Sequence, residues 1–518
     1  MENLHPAGFN VRASMPPGKR LLISAVMSAA WVFAALGAEL PAELTLIPVS
    51  ADKQLYAPTG STFAETNFYQ RLIKHIPPLR HARGQRWPMI MFCGGTFEPQ
   101  PKETCQALLA RGLTQHIPLD AKMLSTAKVL QAAGSPVIMV QGAGGPWPAS
   151  LAGAPELWAH QFTNAFKPTR HLRPCLAIFT GWAANADKVR ATLRQFKEAG
   201  VSVHAVWMDW EGDPLFKGDS YIQAAQCRRC RETLPAWVLT SEDNFRRYSW
   251  RLYNDLIAAY LAAPVREIFP VCSVANWNIV VTIGQPVLHW TGNEPISPGL
   301  PGMLTAMNPV AYGQTYYFTD YWKKEYPLDM EHVDQFYTHL LLHEVTGNAV
   351  NAAAYAPEKE TIPWVCRWCP DNKDPRIPVM SRARYREVLR HHWLRGVDGM
   401  QIFNPSQKGY EDMAVYEVAD AVAVYDEMLA FKEYLDEGEP FGLDLPKAQD
   451  DGVLWSGLRR AQSAVVRVFK QGGGEAEITV EPWPGKKALL QATDKGRTYL
   501  LKLDGDLVRV EKSVTSQE

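Results

Sequence analysis

Short apolar runs of strand length recur along the chain, separated by segments with helical spacing. Each run is almost continuously apolar, which is typical of parallel strands buried on both faces of a sheet. Strands that alternate with helices in this way predict an α/β fold, a (β/α)8 TIM barrel. The eight predicted strands are Met89–Cys93, Pro136–Gln141, Cys175–Thr180, Val203–Met208, Glu267–Val274, Met307–Tyr312, Val350–Tyr355 and Gly399–Phe403.

Helical patterns fill several of the intervals. In Asn185–Gly200 the apolar residues recur at helical spacing, Asn185 is a suitable N-cap, and Gly200 is a suitable stop. A doubly wound open sheet is the alternative, but no glycine-rich phosphate fingerprint follows the first strand, so the barrel is favoured. Further helices are predicted at Asn244–Leu261, Met330–Glu344 and Ser381–Leu394.

The pattern changes near residue 440, where short segments begin to alternate between apolar and polar positions. Turn signals at Gly472–Gly474 and Asp504–Gly505 separate them, which predicts a small antiparallel β domain of sandwich type. This domain either binds ligand or only covers one face of the barrel. Its predicted strands are Ala464–Phe469, Glu475–Val480, Lys487–Ala492, Thr498–Leu503 and Leu507–Glu511.

The first 38 residues have the pattern of a signal peptide. Lys19 and Arg20 precede an apolar run at 21–36, which small residues follow. The run is shorter than the roughly 20 apolar residues of a spanning helix, although an uncleaved anchor is the alternative. We therefore divide the chain into a signal peptide at 1–38, a barrel at 39–440 and a β domain at 441–518. The mature protein is expected to be secreted or periplasmic, with no integral membrane domain.

Composition narrows the classes of partner. The 518 residues include 53 Lys and Arg against 54 Asp and Glu, a net charge of -1, which gives no support for nucleic acid or an anionic membrane as the main partner. The 17 Trp and 19 Tyr, many of them near predicted strand ends, indicate flat, hydroxyl-rich ligands such as sugars. No cofactor is predicted.

Two C-x-x-C pairs have the spacing of a split four-thiolate zinc site. Export favours disulfides instead, either local or between loops, so zinc is the lesser alternative. Cys175 lies in an apolar run and is expected to be a buried thiol. His339 and His343 are expected to form a surface pair on a helix. The two pairs are Cys227 with Cys230 and Cys366 with Cys369.

Two acidic residues follow the predicted fourth strand, where TIM barrels carry their active residues. Asp209 and Glu211 are two positions apart, so an extended backbone points them to the same side. Mutual repulsion is expected to raise one pKa, which would give a general acid beside a charged neighbour. The alternative is an ion-pair network with Arg228, Arg229 or Arg246.

Asp209-Trp210-Glu211 resembles the end of the D-x-x-D-x-D-x-E motif of family 18 chitinases and the D-x-E of family 56 hyaluronidases. Val310-Ala311-Tyr312-Gly313 is similar to the segment that carries a substrate-binding Tyr in those chitinases. The resemblance implies a glycoside hydrolase in which Glu211 protonates the glycosidic oxygen while the substrate's 2-acetamido group attacks the anomeric carbon. It also implies that Asp209 orients the acetamido group and that Tyr312 contacts its oxygen. The earlier acidic positions of the chitinase motif are His204 and Trp207 in this chain.

Other polar and aromatic residues near predicted strand ends are candidate substrate contacts, although each could instead pack beneath a loop. Glu358 is also the candidate nucleophile of an ordinary retaining glycosidase, paired with Glu211. The candidate contacts are Trp207, Asn276, Trp277, Asn278, Gln314, Tyr355, Glu358, Gln401 and Asn404.

The sequence thus favours an exported glycoside hydrolase that cleaves a polysaccharide. The resemblance implies an amino-sugar polymer, either a glycosaminoglycan or a chitin-like chain. A polysaccharide lyase is the alternative enzyme: it would abstract the carbon-5 proton of a uronate in hyaluronan or chondroitin, with Tyr312 or His289 as base and Asn276 neutralising the carboxylate. A non-catalytic carbohydrate-binding barrel is the third hypothesis.

Overall fold

In the described part of the computed structural model of this chain, nine parallel strands form a closed ring. They are β1 (Met89–Phe92), β2 (Leu113–Pro118), β3 (Ile138–Gln141), β4 (Ala205–Met208), β5 (Ser273–Asn278), β6 (Ala306–Tyr312), β7 (Glu360–Thr361), β8 (Trp364–Cys366) and β9 (Gln401–Phe403). The structure describes residues 63–65, 67–92, 98–141, 158–162, 166–168, 172–208, 218–278, 303–312, 332–355, 359–367, 380–403, 411–447 and 450–515.

Two pairings close the ring. β1 lies beside β9, with Ile90 opposite Gln401, and β5 lies beside β6, with Trp277 opposite Asn308. Both β7 and β8 pair with β6, so these short segments share one of eight strand positions. The predicted TIM barrel is therefore confirmed.

Helices pack around the outside of the ring and join successive strands. Among the described helices, none is long and apolar enough to cross a membrane. A π-helical turn at Ala258–Ala262 joins α7 to α8. The helices are α1 (Phe68–His75), α2 (Lys102–Leu109), α3 (Leu124–Ala132), α4 (Thr180–Glu198), α5 (Gly218–Gln226), α6 (Arg228–Thr233), α7 (Glu242–Ile257), α8 (Ala263–Ile268), α9 (Val333–Tyr355), α10 (Arg382–Leu394), α11 (Glu411–Leu429) and α12 (Lys432–Glu437).

Two of the predicted strands are wrong, and two strand positions were missed. Cys175–Thr180 is a turn that leads into α4, and Val350–Tyr355 is the last part of α9. The missed positions are β2, which carries polar residues such as His116, and the β7–β8 position, which Pro363 interrupts. The fifth strand is also displaced, since Ser273–Asn278 replaces the predicted Glu267–Val274.

The predicted helix at Asn185–Gly200 is confirmed as α4, but it begins earlier, at Thr180. Asn185 is buried inside this helix, where its side-chain oxygen accepts a hydrogen bond from Gln141 at 3.1 Å. It therefore links the helix to β3 and is not the N-cap. Ser381, in contrast, caps α10 by accepting from the backbone N–H of Arg384 at 3.3 Å.

A separate antiparallel unit follows the barrel, as the sequence predicts. Its five-stranded sheet has the order β10-β11-β12-β15-β16, and the hairpin β13-β14 packs against it over a shared apolar core. All five predicted strands are present, and β10 and β11 precede them. The strands are β10 (Glu439–Phe441), β11 (Val453–Arg459), β12 (Ser463–Lys470), β13 (Glu475–Trp483), β14 (Lys486–Thr493), β15 (Arg497–Asp504) and β16 (Leu507–Thr515).

A buried ion pair connects this sheet to the barrel helices. Glu387 on α10 accepts two hydrogen bonds from Arg467 on β12, at 2.6 and 2.8 Å, and a third from Arg390 at 3.1 Å. Burial alone would raise the pKa of Glu387, but Arg467, His391 and Arg390 together hold that pKa well below its ordinary value. The carboxylate is therefore charged, and it compensates a guanidinium that is 1% exposed.

We expect Glu387→Gln to lower the free energy of unfolding by about 3–5 kcal/mol, because it leaves the buried Arg467 without its counter-charge. Chemical denaturation at pH 7 measures this loss. The matched control is Glu267→Gln, which removes an exposed pair with Arg190 and should change stability little, because solvent screens it.

The pH dependence gives a second readout of the same change. Because the pKa of Glu387 is lowered in the fold, its contribution is complete above the ordinary value of 4.5 and is lost as the pH falls through the folded value. An equal loss of stability in the two variants would contradict the proposed role of the ion pair.

Candidate active site at the barrel mouth

The side chains of β4 alternate between the inside and the outside of the barrel. Ala205 and Trp207 belong to the apolar cluster in the barrel interior, whereas Val206 and Met208 pack in the outer layer. Trp207 is fully buried, and its indole nitrogen donates to the Ser273 hydroxyl at 3.2 Å. It is thus part of the barrel core.

Aromatic residues that end β1, β6 and β9, together with the first residue of the short β8, form a layer that we call the aromatic floor: Phe92, Tyr312, Phe403 and Trp364. The Tyr312 and Phe403 rings stack with centroids 4.6 Å apart, and the Phe92 ring stacks on Phe403 with centroids 5.8 Å apart. Trp364 meets Phe92 edge to face at 5.1 Å. Phe92 and Phe403 are partly exposed, so the floor faces the mouth of the barrel.

His116 on β2 lies in the layer beneath the aromatic floor. Its ring makes edge contacts with Phe92 and Trp207, both at centroid distances of 5.7 Å. Burial lowers the pKa of His116 to about 3, and the neighbouring Gln401 opposes this only in part. The imidazole is therefore neutral at pH 7 and supports the floor from below.

Two amides stabilise the interrupted strand position below the floor. Asn308 and Gln401 both donate hydrogen bonds to the carbonyl oxygen of Ile362, at 2.8 and 3.2 Å. Ile362 lies between β7 and β8, next to Pro363, where the regular strand pairing is broken. Gln401 is fully buried, which places this candidate contact in the barrel wall.

The revised seventh strand changes the argument for the acidic residues near it. Tyr355 ends α9, and Glu358 precedes β7 in the chain, so neither follows a strand as the sequence analysis assumed. Glu360 accepts from Trp87 Nε1 at 3.0 Å and from Ser273 Oγ at 3.1 Å, at the amino-terminal end of the barrel. Glu358 therefore lacks the position after a strand on which its prediction as a nucleophile depended.

The remaining candidates divide between the described residues and those outside them. Asn276 is buried on β5, and Tyr312 is buried in the aromatic floor. Trp277 and Asn278 belong to β5 by their backbone, and their side chains lie outside the description, as does that of Tyr355. The candidates wholly outside the described residues are Asp209, Glu211, His289, Gln314, Glu358 and Asn404, together with Cys369 and the segment 1–62.

The first C-x-x-C pair has neighbours that the sequence analysis did not associate with it. Cys227 and Cys230 lie beside Cys175 and His160, and all four residues are buried. Hydrogen bonds from the Cys175 and Cys230 thiols lower the pKa of Cys227. The hydrogen bond between Cys175 and Cys227 also raises the pKa of Cys175, to about 11. Cys366 lies elsewhere, on β8 in the aromatic cluster. The spacing motif alone carried no signal for Cys175 or His160.

The predicted surface position of the histidine pair is wrong. His339 and His343 are both 6% exposed on α9, and His339 Nδ1 lies 2.6 Å from the carbonyl oxygen of Pro446. Burial lowers the pKa of His343 to about 3, and the nearby His339 adds to this effect. His339 thus joins α9 to the segment between β10 and β11.

No protein-family model matches the chain, and no curated protein matches it. A family 30 endoxylanase from Clostridium papyrosolvens is similar, with 10% identity over 85% of this chain and 94% of that one, at a TM-score of 0.40. A family 36 α-galactosidase from Geobacillus stearothermophilus covers 78% of this chain and 51% of its own, with 10% identity and a TM-score of 0.42. An Anoxybacillus α-amylase gives 10% identity, coverages of 84% and 100%, and a TM-score of 0.38. With TM-scores below 0.5, these likenesses identify neither a family nor an activity.

We expect His116→Gln to flatten the pH dependence of stability on the acid side of neutrality. Below about pH 6.5 the unfolded chain protonates this residue, but the folded chain, with its pKa near 3, does not. Between pH 7 and pH 5 the variant should therefore lose about 2 kcal/mol less unfolding free energy than the parent. Urea denaturation at the two pH values measures the difference, and parallel losses would show that His116 is not held neutral.

Proposed function

We propose that this protein is a glycoside hydrolase that cleaves a polysaccharide at the carboxyl-terminal mouth of its barrel. The observation that carries the proposal is the aromatic floor, whose partly exposed rings offer flat apolar surface for the faces of sugar rings. In TIM barrels the catalytic groups come from the carboxyl ends of the strands, which is the end that the floor occupies.

Asp209 and Glu211 are the proposed acidic pair above this floor. They follow β4 directly in the sequence, and Trp207, two positions before Asp209, points into the barrel. If the alternation of β4 continues, both carboxyl groups face the barrel axis. One of them is then expected to hold its proton near neutral pH, because two carboxylates at one mouth repel each other.

The reaction we propose follows the chitinase and hyaluronidase resemblance. Glu211 gives its proton to the glycosidic oxygen as the bond to the anomeric carbon breaks, so that the leaving sugar departs as an alcohol. The acetamido oxygen of the substrate forms the new bond to that carbon, with Asp209 and Tyr312 orienting the acetamido group. Water then opens the cyclic intermediate and returns a proton to Glu211. In such substrate-assisted enzymes the distance between the two carboxyl groups does not predict whether the anomeric configuration is retained or inverted.

An amino-sugar polymer is the proposed substrate, and the support for it is the strand-end motif alone. Tyr312, the residue that the motif pairs with the acetamido oxygen, ends β6 within the aromatic floor and is itself buried there. We also propose that the protein is exported, on the basis of its signal-peptide pattern. An assay of reducing ends and ultraviolet absorbance distinguishes this hydrolase from a lyase and from a non-catalytic carbohydrate-binding barrel.

We expect Glu211→Gln to lower kcat by roughly 10²- to 10⁴-fold without unfolding the protein, because it removes the general acid and keeps the side-chain shape. The assay measures new reducing ends on hyaluronan, chondroitin, heparan, chitin and uronate polymers, together with ultraviolet absorbance. Asp209→Asn should cause a similar loss. Glu198→Gln, an exposed residue at the end of α4, is the control that should retain full activity.

Each other outcome has a definite meaning. Ultraviolet absorbance that rises in step with cleavage would identify a lyase and refute the hydrolysis step. Binding without turnover in the parent protein would identify a carbohydrate-binding barrel. Undiminished turnover by both variants would refute the assignment of Asp209 and Glu211 to the reaction.

We expect Phe403→Ala to raise KM roughly tenfold, equivalent to about 1.4 kcal/mol, and to change kcat much less. The substitution removes the partly exposed ring that stacks on Tyr312 and so reduces the apolar surface available to a sugar. Phe179→Ala removes a ring that is 38% exposed and lies beside Tyr260, away from the aromatic floor residues, and it should leave KM unchanged. An unchanged KM in the Phe403 variant would exclude the aromatic floor from substrate binding.

A further inference from the structure

Three thiols and one imidazole meet in a buried group that the proposed reaction does not use. The ligand atoms of His160, Cys175, Cys227 and Cys230 all lie within 4.8 Å of one another. Cys175 Sγ is 3.5 Å from Cys230 Sγ, and Cys230 Sγ is 3.5 Å from His160 Nδ1. Four potential ligands of the two types that Zn²⁺ prefers thus converge on one point.

These separations are close to those of a tetrahedral zinc site. With Zn–S bonds of about 2.3 Å and a Zn–N bond of about 2.0–2.1 Å, tetrahedral angles place two sulfurs about 3.8 Å apart and a sulfur and a nitrogen about 3.5–3.6 Å apart. The observed sulfur–nitrogen distance of 3.5 Å agrees with this, the sulfur–sulfur distance of 3.5 Å is slightly shorter, and all ligand atoms lie within 4.8 Å of one another. Small side-chain movements would therefore complete the geometry.

The backbone holds the four residues in place through hydrogen bonds between distant segments. Two antiparallel bridges bring Ala159 opposite Pro174 and Phe162 opposite Cys227. As a result, His160 and Cys175 lie beside the C-x-x-C pair. The backbone N–H of Gln161 also points at Cys227 Sγ at 3.3 Å, which is the kind of outer contact that stabilises a metal-bound thiolate.

A disulfide explains this arrangement less well than a metal. The Cys175 and Cys230 sulfurs are 3.5 Å apart, whereas a disulfide bond is about 2.0 Å long. A disulfide between any two of the three thiols would leave the third thiol buried beside the His160 imidazole. The disulfide would not explain why that thiol and the imidazole lie so close together. A metal instead uses all four groups at once.

We propose that His160, Cys175, Cys227 and Cys230 bind one structural Zn²⁺. Four protein ligands leave no open position, so the ion supplies stability and takes no part in catalysis. Soft thiolates with one imidazole in a tetrahedral arrangement select Zn²⁺ over Mg²⁺ or Ca²⁺. This site does not depend on the proposed hydrolase activity.

The site would connect two loops that leave the barrel mouth. His160 and Cys175 lie between β3 and α4, and Cys227 and Cys230 lie in the connection that follows β4. β3 and β4 are neighbours in the ring, so the ion would cross-link adjacent connections. The second of these connections begins with Asp209 in the sequence, so the ion would cross-link the same connection that carries the proposed acids.

The test is the metal content of the full chain, purified without chelator and measured by mass spectrometry. We expect about one Zn²⁺ per chain in the parent protein and a loss of most of it in Cys175→Ser and in His160→Gln. The controls are Cys105→Ser and Cys366→Ser, which change buried cysteines outside the group and should retain the metal. Loss of zinc in Cys366→Ser with retention in Cys175→Ser would overturn the ligand set.

A measurement on the parent protein keeps the proposal testable if the variants do not fold. Replacement of the metal by Co²⁺ should give the visible spectrum of a tetrahedral site with three thiolates and one nitrogen, and X-ray absorption should report three sulfur neighbours. Four sulfur neighbours would refute the role of His160. Absence of metal together with a disulfide among Cys175, Cys227 and Cys230, detected by mass, would refute the site altogether.

Discussion

Closure of the parallel strand ring is the constraint on which the rest of the structure depends. Every strand position is paired on both sides, so successive residues must point alternately into the barrel and toward the helices. On β4 this places Trp207 inside and Val206 and Met208 outside. It also brings all carboxyl ends to one mouth, where Tyr312 and Phe403 meet although they are far apart in sequence. The proposed reaction uses residues at this shared end and in the connections that follow the strands.

The continuously apolar runs in the sequence predicted the barrel. The prediction of individual strands failed where buried residues are polar or where an apolar run is helical. β2 was missed because it carries Gln115 and His116, which are buried despite their polarity. The end of α9 was read as a strand because a short apolar run has no periodicity that separates a helix from a strand. The β7–β8 position was missed because its two segments are too short to give a pattern of their own.

The candidate sites show a similar division. A motif on one short segment, such as Asp209-Trp210-Glu211 or the pair Cys227 and Cys230, is visible in the sequence because its geometry is local. The association of that pair with Cys175 and His160 is not visible, since it arises from the neighbouring positions of β3 and β4 in the ring. The aromatic floor also combines strand ends from distant parts of the chain, and its rings resemble ordinary core residues when each is read separately.

The ion pair between Glu387 and Arg467 also bears on how this protein could have been assembled in evolution. A change in the pattern of apolar and polar residues marks the start of the β sheet, yet the charge that neutralises the buried Arg467 belongs to a barrel helix. A different partner for either half would have to supply the opposite charge at the same point, because an uncompensated charge buried in the new interface is costly. The two parts are therefore poorly suited to exchange between proteins as separate modules. Descent as a single block, with the two partners changing together, is the history that this interface favours.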